Sequence, residues 1–311
     1  MSSIFRPLQI LAVASVVLMV CAAVLFGLRI YVPDYSAIVF CSKHYLGPLA
    51  LGIMAASASG LVWKLSKGTS RHTIPESVAD MAAFAAVIFV HFNLKLWSHL
   101  INGAMFDSEF SQIDQSFAPL RDGFMSMAVA IKAWIPLYVP YSDLFISMFF
   151  LSFFIHGGLG GRRELNPIIL ATSLVLILGG ISYCFAPAFG PMVFDPPNVA
   201  YVRYMHIFSA MFVDSGGRDY APSMFLSMCA AMPSLHIANS VVLAYFAWKW
   251  RPWLLAFYLP LILFFLFEGV NLRFHYLIDY PAGLLIAGLS LKIALLFQYN
   301  FPKFKSTTDR K

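Results

Sequence analysis

Eight apolar stretches, at about 8–30, 44–63, 77–101, 142–158, 165–187, 234–248, 252–270 and 276–298, take up most of this 311-residue chain. Each approaches the roughly 20 apolar residues that an α-helix needs to cross a hydrocarbon layer of about 30 Å. In lipid, backbone N–H and C=O groups must be satisfied within the spanning structure, and runs of this length and composition satisfy them as helices. The expected fold class is therefore all-α, a polytopic membrane helix bundle of about eight transmembrane helices. With 60% of residues apolar and 12% charged, nothing remains from which to build a separate water-soluble domain. The first run continues from Leu8 past Cys21 to Ile30 without a small-residue cleavage pattern, so it is expected to stay as a span.

The net charge of +6 would suggest nucleic acid in a soluble protein, but here its distribution points to topology. With the N-terminus in the cytoplasm, the inner segments hold Arg6; Lys64, Lys67 and Arg71; Arg162 and Arg163; Lys249 and Arg251; and Lys303, Lys305, Arg310 and Lys311, which is 12 of the 21 lysines and arginines. The loop from about 102 to 123 carries Asp107, Glu109, Asp114 and Asp122 against Arg121 alone and falls outside. This is the positive-inside pattern for eight spans with both termini cytoplasmic. A further apolar piece, Phe124 to Pro140, contains Lys132, Pro136 and Pro140 and is expected to be interfacial or re-entrant, because a ninth span would invert everything after it.

Cys21, Cys41, Cys184 and Cys229 lack any metal-ligand spacing, and no metal or other cofactor is expected. Cys184 and Cys229 flank one outer loop, so a disulfide between them is open, with two buried thiols the favoured state. No internal repeat or long polar linker divides the chain.

Ionisable groups near membrane spans are costly and begin as functional candidates. Most of them collect at the outer ends of the last four spans, in "FAPAFGPMVFDPP" (185–197), "MPSLH" (232–236) and "NLRFHYLIDYPAG" (271–283). His275 and Asp279 are four apart, so on a helix they share a face and the carboxylate reaches the imidazole. That contact would fix the tautomer and leave the other ring nitrogen as nucleophile or base. The same residues would also suit the water interface of a span, and His-x-x-x-Asp alone does not separate the two. In the other motif, Pro233 and Ser234 suit a helix start, whereas His236 is not needed for one. A helix N-terminus is a ready phosphate site, and a histidine one turn in could protonate a leaving oxygen. Elsewhere, His91 and Lys95 share a face of the third span and read as a hydrogen-bonded core histidine and an outward-reaching lysine. Glu268 reads as a structural partner of Arg273.

"MPSLH" followed by "HYLIDYPAG" resembles the second and third motifs of the type-2 phosphatidic acid phosphatase superfamily, in particular its branch similar to inositolphosphorylceramide synthases. The resemblance covers about residues 165–298. It implies that His275 attacks phosphorus, Asp279 orients it, His236 assists the leaving group and Ser234 contacts phosphate. Two departures accompany it. The lysine and arginine of the phosphatases' first motif are absent before residue 232, where "FAPAFGPMVFDPP" looks more like the proline-rich first motif of the synthase branch. Gly269 stands where the third motif usually has an arginine six residues before its histidine. Arg273, Arg203, Arg218 or His206 would then have to meet the phosphate charge.

These residues suit phosphoryl transfer, which needs positioned cations, backbone donors and an acid for the poor leaving group. The expected protein is a metal-independent membrane enzyme acting through a phosphohistidine on a lipid phosphate or phospholipid. Transfer to an alcohol acceptor is the first reading, and hydrolysis the alternative. A lipid or solute transporter is the competing class, which would show paired broken helices in two related halves. Residues 77–300 would form a six-helix catalytic core and 1–76 two extra N-terminal helices, in a bacterial inner membrane with the active site on the periplasmic face. The loop from about 188 to 232 would either cover the site or serve as a connector.

Overall fold

The computed structural model describes residues 7–33, 74–134, 141–194 and 231–300, together with positions 35, 39, 214 and 215. Among these residues every regular element is helical, as the apolar runs require. In chain order they are α1 (Pro7–Phe26), α2 (Ile74–Ile101), α3 (Asp107–Ser116), α4 (Ala118–Trp134), α5 (Tyr141–Phe185), the single turn α6 (Pro191–Phe194), α7 (Leu235–Trp250), a 3-10 turn (Pro252–Leu254), α8 (Leu255–Asn271) and α9 (Asp279–Asn300). Five of the helices, α1, α2, α5, α8 and α9, are long and apolar enough to cross a membrane. The protein is an integral membrane helix bundle. The expected second span, 44–63, lies outside the described residues.

Two of the expected spans are joined in α5, whose 45 residues are broken at Gly161 (φ 60°, ψ −151°). Glycine adopts that backbone without the Cβ clash that excludes other residues. The chain therefore turns back there, and both limbs of α5 serve as separate columns of the bundle. α7, at 16 residues, is shorter than the other spanning candidates. It lies at the centre, packed against α5, α8 and α9, and Ala238, Val242, Phe246 and Ala247 are fully buried among them. A second apolar cluster joins α1 and α2 to the later limb of α5 through Met19, Val87, Leu96, Trp97 and Ile177.

The piece expected at 124–140 is helical as far as it is described, the later part of a 17-residue helix from Ala118 to Trp134, and residues 135–140 lie outside the described set. Its proline, Pro119, stands in the first turn, where the missing N–H costs no ladder hydrogen bond, so the helix runs on unbroken. α4 packs along α8, where the Phe124 ring meets Phe267 edge-on at 5.2 Å. Lys132 of α4 forms an ion pair with Glu268 of α8, and Asn271 Nδ2 donates to the same carboxylate at 3.1 Å. Glu268 is thus tied to α4, across a helix pair that sequence distance conceals, where Arg273 was the expected partner.

Candidate active site

The catalytic candidates sit where three non-helical junctions meet at one end of the bundle. Ser234 caps α7, its hydroxyl accepting from Ile237 N–H at 3.5 Å. Ser234 N–H donates to Asp279 O at 3.0 Å, which fastens the start of α7 to the start of α9. The two starts are so close that a Cβ at Gly283 would strike the Ser234 carbonyl. On the third side, Met192 N–H donates to Arg273 O at 2.8 Å and Ala231 N–H to Ala188 O at 3.0 Å. Gly190 (φ 99°) passes so near Phe274 O that a Cβ would lie 2.9 Å from it, so position 190 demands glycine on two counts.

His275 lies in the turn before α9, not on a helix as the four-residue spacing suggested, because α9 begins only at Asp279. The pair forms all the same: Nδ1 is 3.1 Å from Asp279 Oδ2 and 3.1 Å from Ala231 O. Both partners are acceptors, so Nδ1 carries the proton and Nε2 presents its lone pair. Nε2 faces Ser234 Oγ at 3.2 Å. Asp279 Oδ2 also accepts from Tyr276 N–H at 2.9 Å, which locks the turn around the carboxylate.

The ring of His236, in the first turn of α7, has its centroid 5.8 Å from that of His275. It is walled by Phe145 at 4.4 Å and Tyr141 at 4.7 Å. His275, His236, Asp279 and Ser234 are therefore brought together as the two motifs implied. Arg273 belongs to the same turn, held at φ 60°, a conformation that costs a non-glycine residue about 1 kcal/mol or more. Arg203, Arg218, His206 and Cys229 lie outside the described residues, as does most of the loop from 188 to 232. Cys184 carries a free thiol. Gly269 has a structural reason for lacking a side chain, since a Cβ there would lie 2.9 Å from Tyr280 Oη and 3.2 Å from His275 Cδ2.

One group of residues was not recognised from sequence as part of this region. α3, read only as an acidic outer segment, lies across the turn that carries His275. Asp107 accepts from Phe189 N–H at 3.0 Å, Gly190 N–H at 2.8 Å and the Tyr276 hydroxyl at 2.9 Å. Asp114, two turns on, accepts from Leu277 N–H at 2.8 Å. Burial pushes both carboxyls up, Asp114 to about 6, against the pull of these donors. Their seven-residue spacing on one helix face was the available signal. On α2, His91 is a core histidine whose Nδ1–H donates to Leu176 O at 2.8 Å. Lys95, one turn further along α2, is half-buried.

The fold and this centre define a helical membrane protein in which two histidines, one tethered by a carboxylate, converge at one end of the bundle. A family model described as the PAP2 superfamily matches residues 127–293, more than half of the chain, and the chain belongs to that superfamily. The match takes in Ser234, His236, His275 and Asp279 and leaves out Lys95, Asp107 and Asp114. No curated protein and no solved structure matches the chain.

Proposed function

We propose that this protein moves a phosphoryl or phospho-head-group from a membrane lipid to an alcohol acceptor through a phosphohistidine at His275. Membership of a superfamily of phosphatases and phosphotransferases supports the reaction class. The observation that carries the assignment is the orientation of His275: Asp279 and Ala231 occupy Nδ1, and Nε2 opens toward Ser234 and His236.

In the first half-reaction the Nε2 lone pair attacks phosphorus, and the bond to the leaving oxygen breaks as that oxygen takes a proton from His236. In the second, the acceptor hydroxyl gives its proton to His236 and bonds to phosphorus as the P–N bond breaks. Asp279 balances the positive charge on the imidazole in both halves. The Ser234 hydroxyl gives up Nε2 when substrate enters and turns to a phosphate oxygen. Arg273, Arg203 and Arg218 would supply cations.

The proline-rich "FAPAFGPMVFDPP" segment and the crowded Gly269 position favour the branch resembling inositolphosphorylceramide synthases, and therefore transfer over hydrolysis. We place residues 77–300 in the catalytic core and 1–76 outside it. We also place both termini in the cytoplasm of a bacterial cell, with the site on the periplasmic face of its inner membrane.

Purified protein incubated with a panel of phosphatidic acid, phosphatidylinositol and polyprenyl phosphate, with and without polyol or lipid alcohols, should exchange a head group or release phosphate. His275→Ala should lose at least about 10⁴-fold in turnover, as removal of a covalent nucleophile does. Exchange only with alcohol present supports the transferase, and phosphate release without one supports a phosphatase. A wild type that is inert throughout but moves a lipid or solute across a vesicle membrane would sink the enzymatic reading.

A further inference from the structure

Tyr141 opens α5 with its ring among aromatic neighbours, 4.7 Å from His236, 5.2 Å from Phe265 and 5.6 Å from Phe274. It is only 6% exposed, and its hydroxyl is buried with no hydrogen-bond partner among the described residues. A buried hydroxyl without an acceptor destabilises a fold, and each such group in a native protein calls for a reason.

The space beside Gly269 locates this hydroxyl. A Cβ at that position would be 2.9 Å from Tyr280 Oη, 3.2 Å from His275 Cδ2 and 3.4 Å from Tyr141 Oη. Both phenols thus converge on one point against the imidazole of His275. They differ in one respect: Tyr280 Oη donates to Leu266 O at 2.6 Å and is committed to the fold, whereas the proton of Tyr141 is not.

We infer that Tyr141 is a catalytic residue whose hydroxyl donates to a non-bridging oxygen of the phosphoryl group while phosphorus is attached to His275 or in transit to it. The inference rests on the reading of His275 as nucleophile. No bond is made or broken at Tyr141: its proton stays on Oη and is shared with an oxygen on which negative charge grows as Nε2 attacks. Such a donor, already desolvated and fixed by the surrounding rings, needs no reorganisation when that charge appears.

Orthovanadate, which adopts the five-coordinate geometry of phosphoryl transfer, probes this without a known lipid. The full-length protein, reconstituted in lipid, should bind vanadate. Tyr141→Phe should weaken that binding about 100-fold, in the range found for loss of one transition-state donor, and should lower turnover on any lipid that the panel identifies with little change in KM. Tyr141→Phe should also melt at or above the wild-type temperature, because it deletes a buried hydroxyl that had no partner. Tyr280→Phe, by contrast, should melt below it. A role confined to packing predicts normal vanadate binding and normal turnover for Tyr141→Phe, and that result overturns the inference. His275→Ala separates the two levels of the argument. If it loses vanadate while Tyr141→Phe keeps it, only the assignment of Tyr141 falls. If His275→Ala binds vanadate as tightly as wild type, or wild type binds none, the reading of His275 falls and takes this inference with it.

Discussion

Two histidine–carboxylate pairs stand at opposite ends of the same bundle, and contact distance alone does not tell them apart. At one end His275 Nδ1 is 3.1 Å from Asp279. At the other, His156 Nδ1 is 2.8 Å from Glu164, across the break at Gly161. The difference lies in what else each carboxylate holds. Glu164 also takes Nε and Nη2 of Arg251, at 3.1 and 2.7 Å, so it fastens the turn of α5 to the end of α7, and the other nitrogen of His156 is buried with no hydrogen-bond partner among the described residues. Asp279 has no cation of that kind among the described hydrogen bonds. Its Oδ2 holds the imidazole and one backbone N–H, and the far nitrogen of His275 faces a serine and a second histidine. A pair closed by arginine joins helices. A pair whose second nitrogen opens onto other polar groups is equipped for chemistry.

The largest expected contrast comes from neutralising each carboxylate in turn. Asp279→Asn retains the shape but loses control of the His275 tautomer, and turnover should fall by roughly 10³-fold or more with only a modest change in melting temperature. Glu164→Gln should do the opposite, destabilising the fold by about 3 kcal/mol through the stranded Arg251 while each folded molecule turns over normally. If Glu164→Gln proved inactive yet fully stable, the two ends could not be divided in this way.

A smaller effect is expected at Asp107, because it acts on the catalytic turn only through Tyr276 and the backbone at 189–190. Asp107→Ala leaves two buried donors, Gly190 N–H and the Tyr276 hydroxyl, and the half-buried Phe189 N–H without their acceptor, at a cost of about 1–3 kcal/mol for each buried group so stranded. A misplacement of the turn on the order of 1 Å would lower turnover by about 10- to 100-fold. The His156 end, held by its own helices, should be unaffected, and protection of its amides in hydrogen exchange checks that directly.

The apolar runs made most of the spans legible, because length and hydropathy decide which segments enter lipid, and the two motifs placed Ser234, His236, His275 and Asp279 together. Long-range pairings were not legible. Lys132 with Glu268 and Asp107 with Tyr276 depend on how helices pack, and no local periodicity encodes that. The same holds for Tyr141, which in sequence is one of fourteen tyrosines and acquires meaning only from its place beside Gly269. His275 shows the opposite case, for the spacing predicted the contact although the helix assumed to produce it begins four residues later.

The smallest effect expected is a dependence on pH at Asp114. Burial and the nearby charge of Asp279 raise its carboxyl, while Leu277 N–H, Arg121 and Arg273 pull it down, and the balance stands at about 6 against about 3.9 in an unfolded chain. The folded protein therefore binds the extra proton between these values, and this group's contribution to stability is greatest below about pH 4 and declines as pH rises through about 6. Wild type should lose roughly 2–4 °C in melting temperature between pH 5 and pH 7 from this source. Asp114→Asn keeps an acceptor for Leu277 N–H but cannot ionise, so that part of the slope should vanish while activity at pH 5 stays close to wild type. A slope that survives the substitution would place the titrating group elsewhere. Asp114 would then hold the catalytic turn through its hydrogen bond alone, and its charge would have no part in setting apart the His275 end.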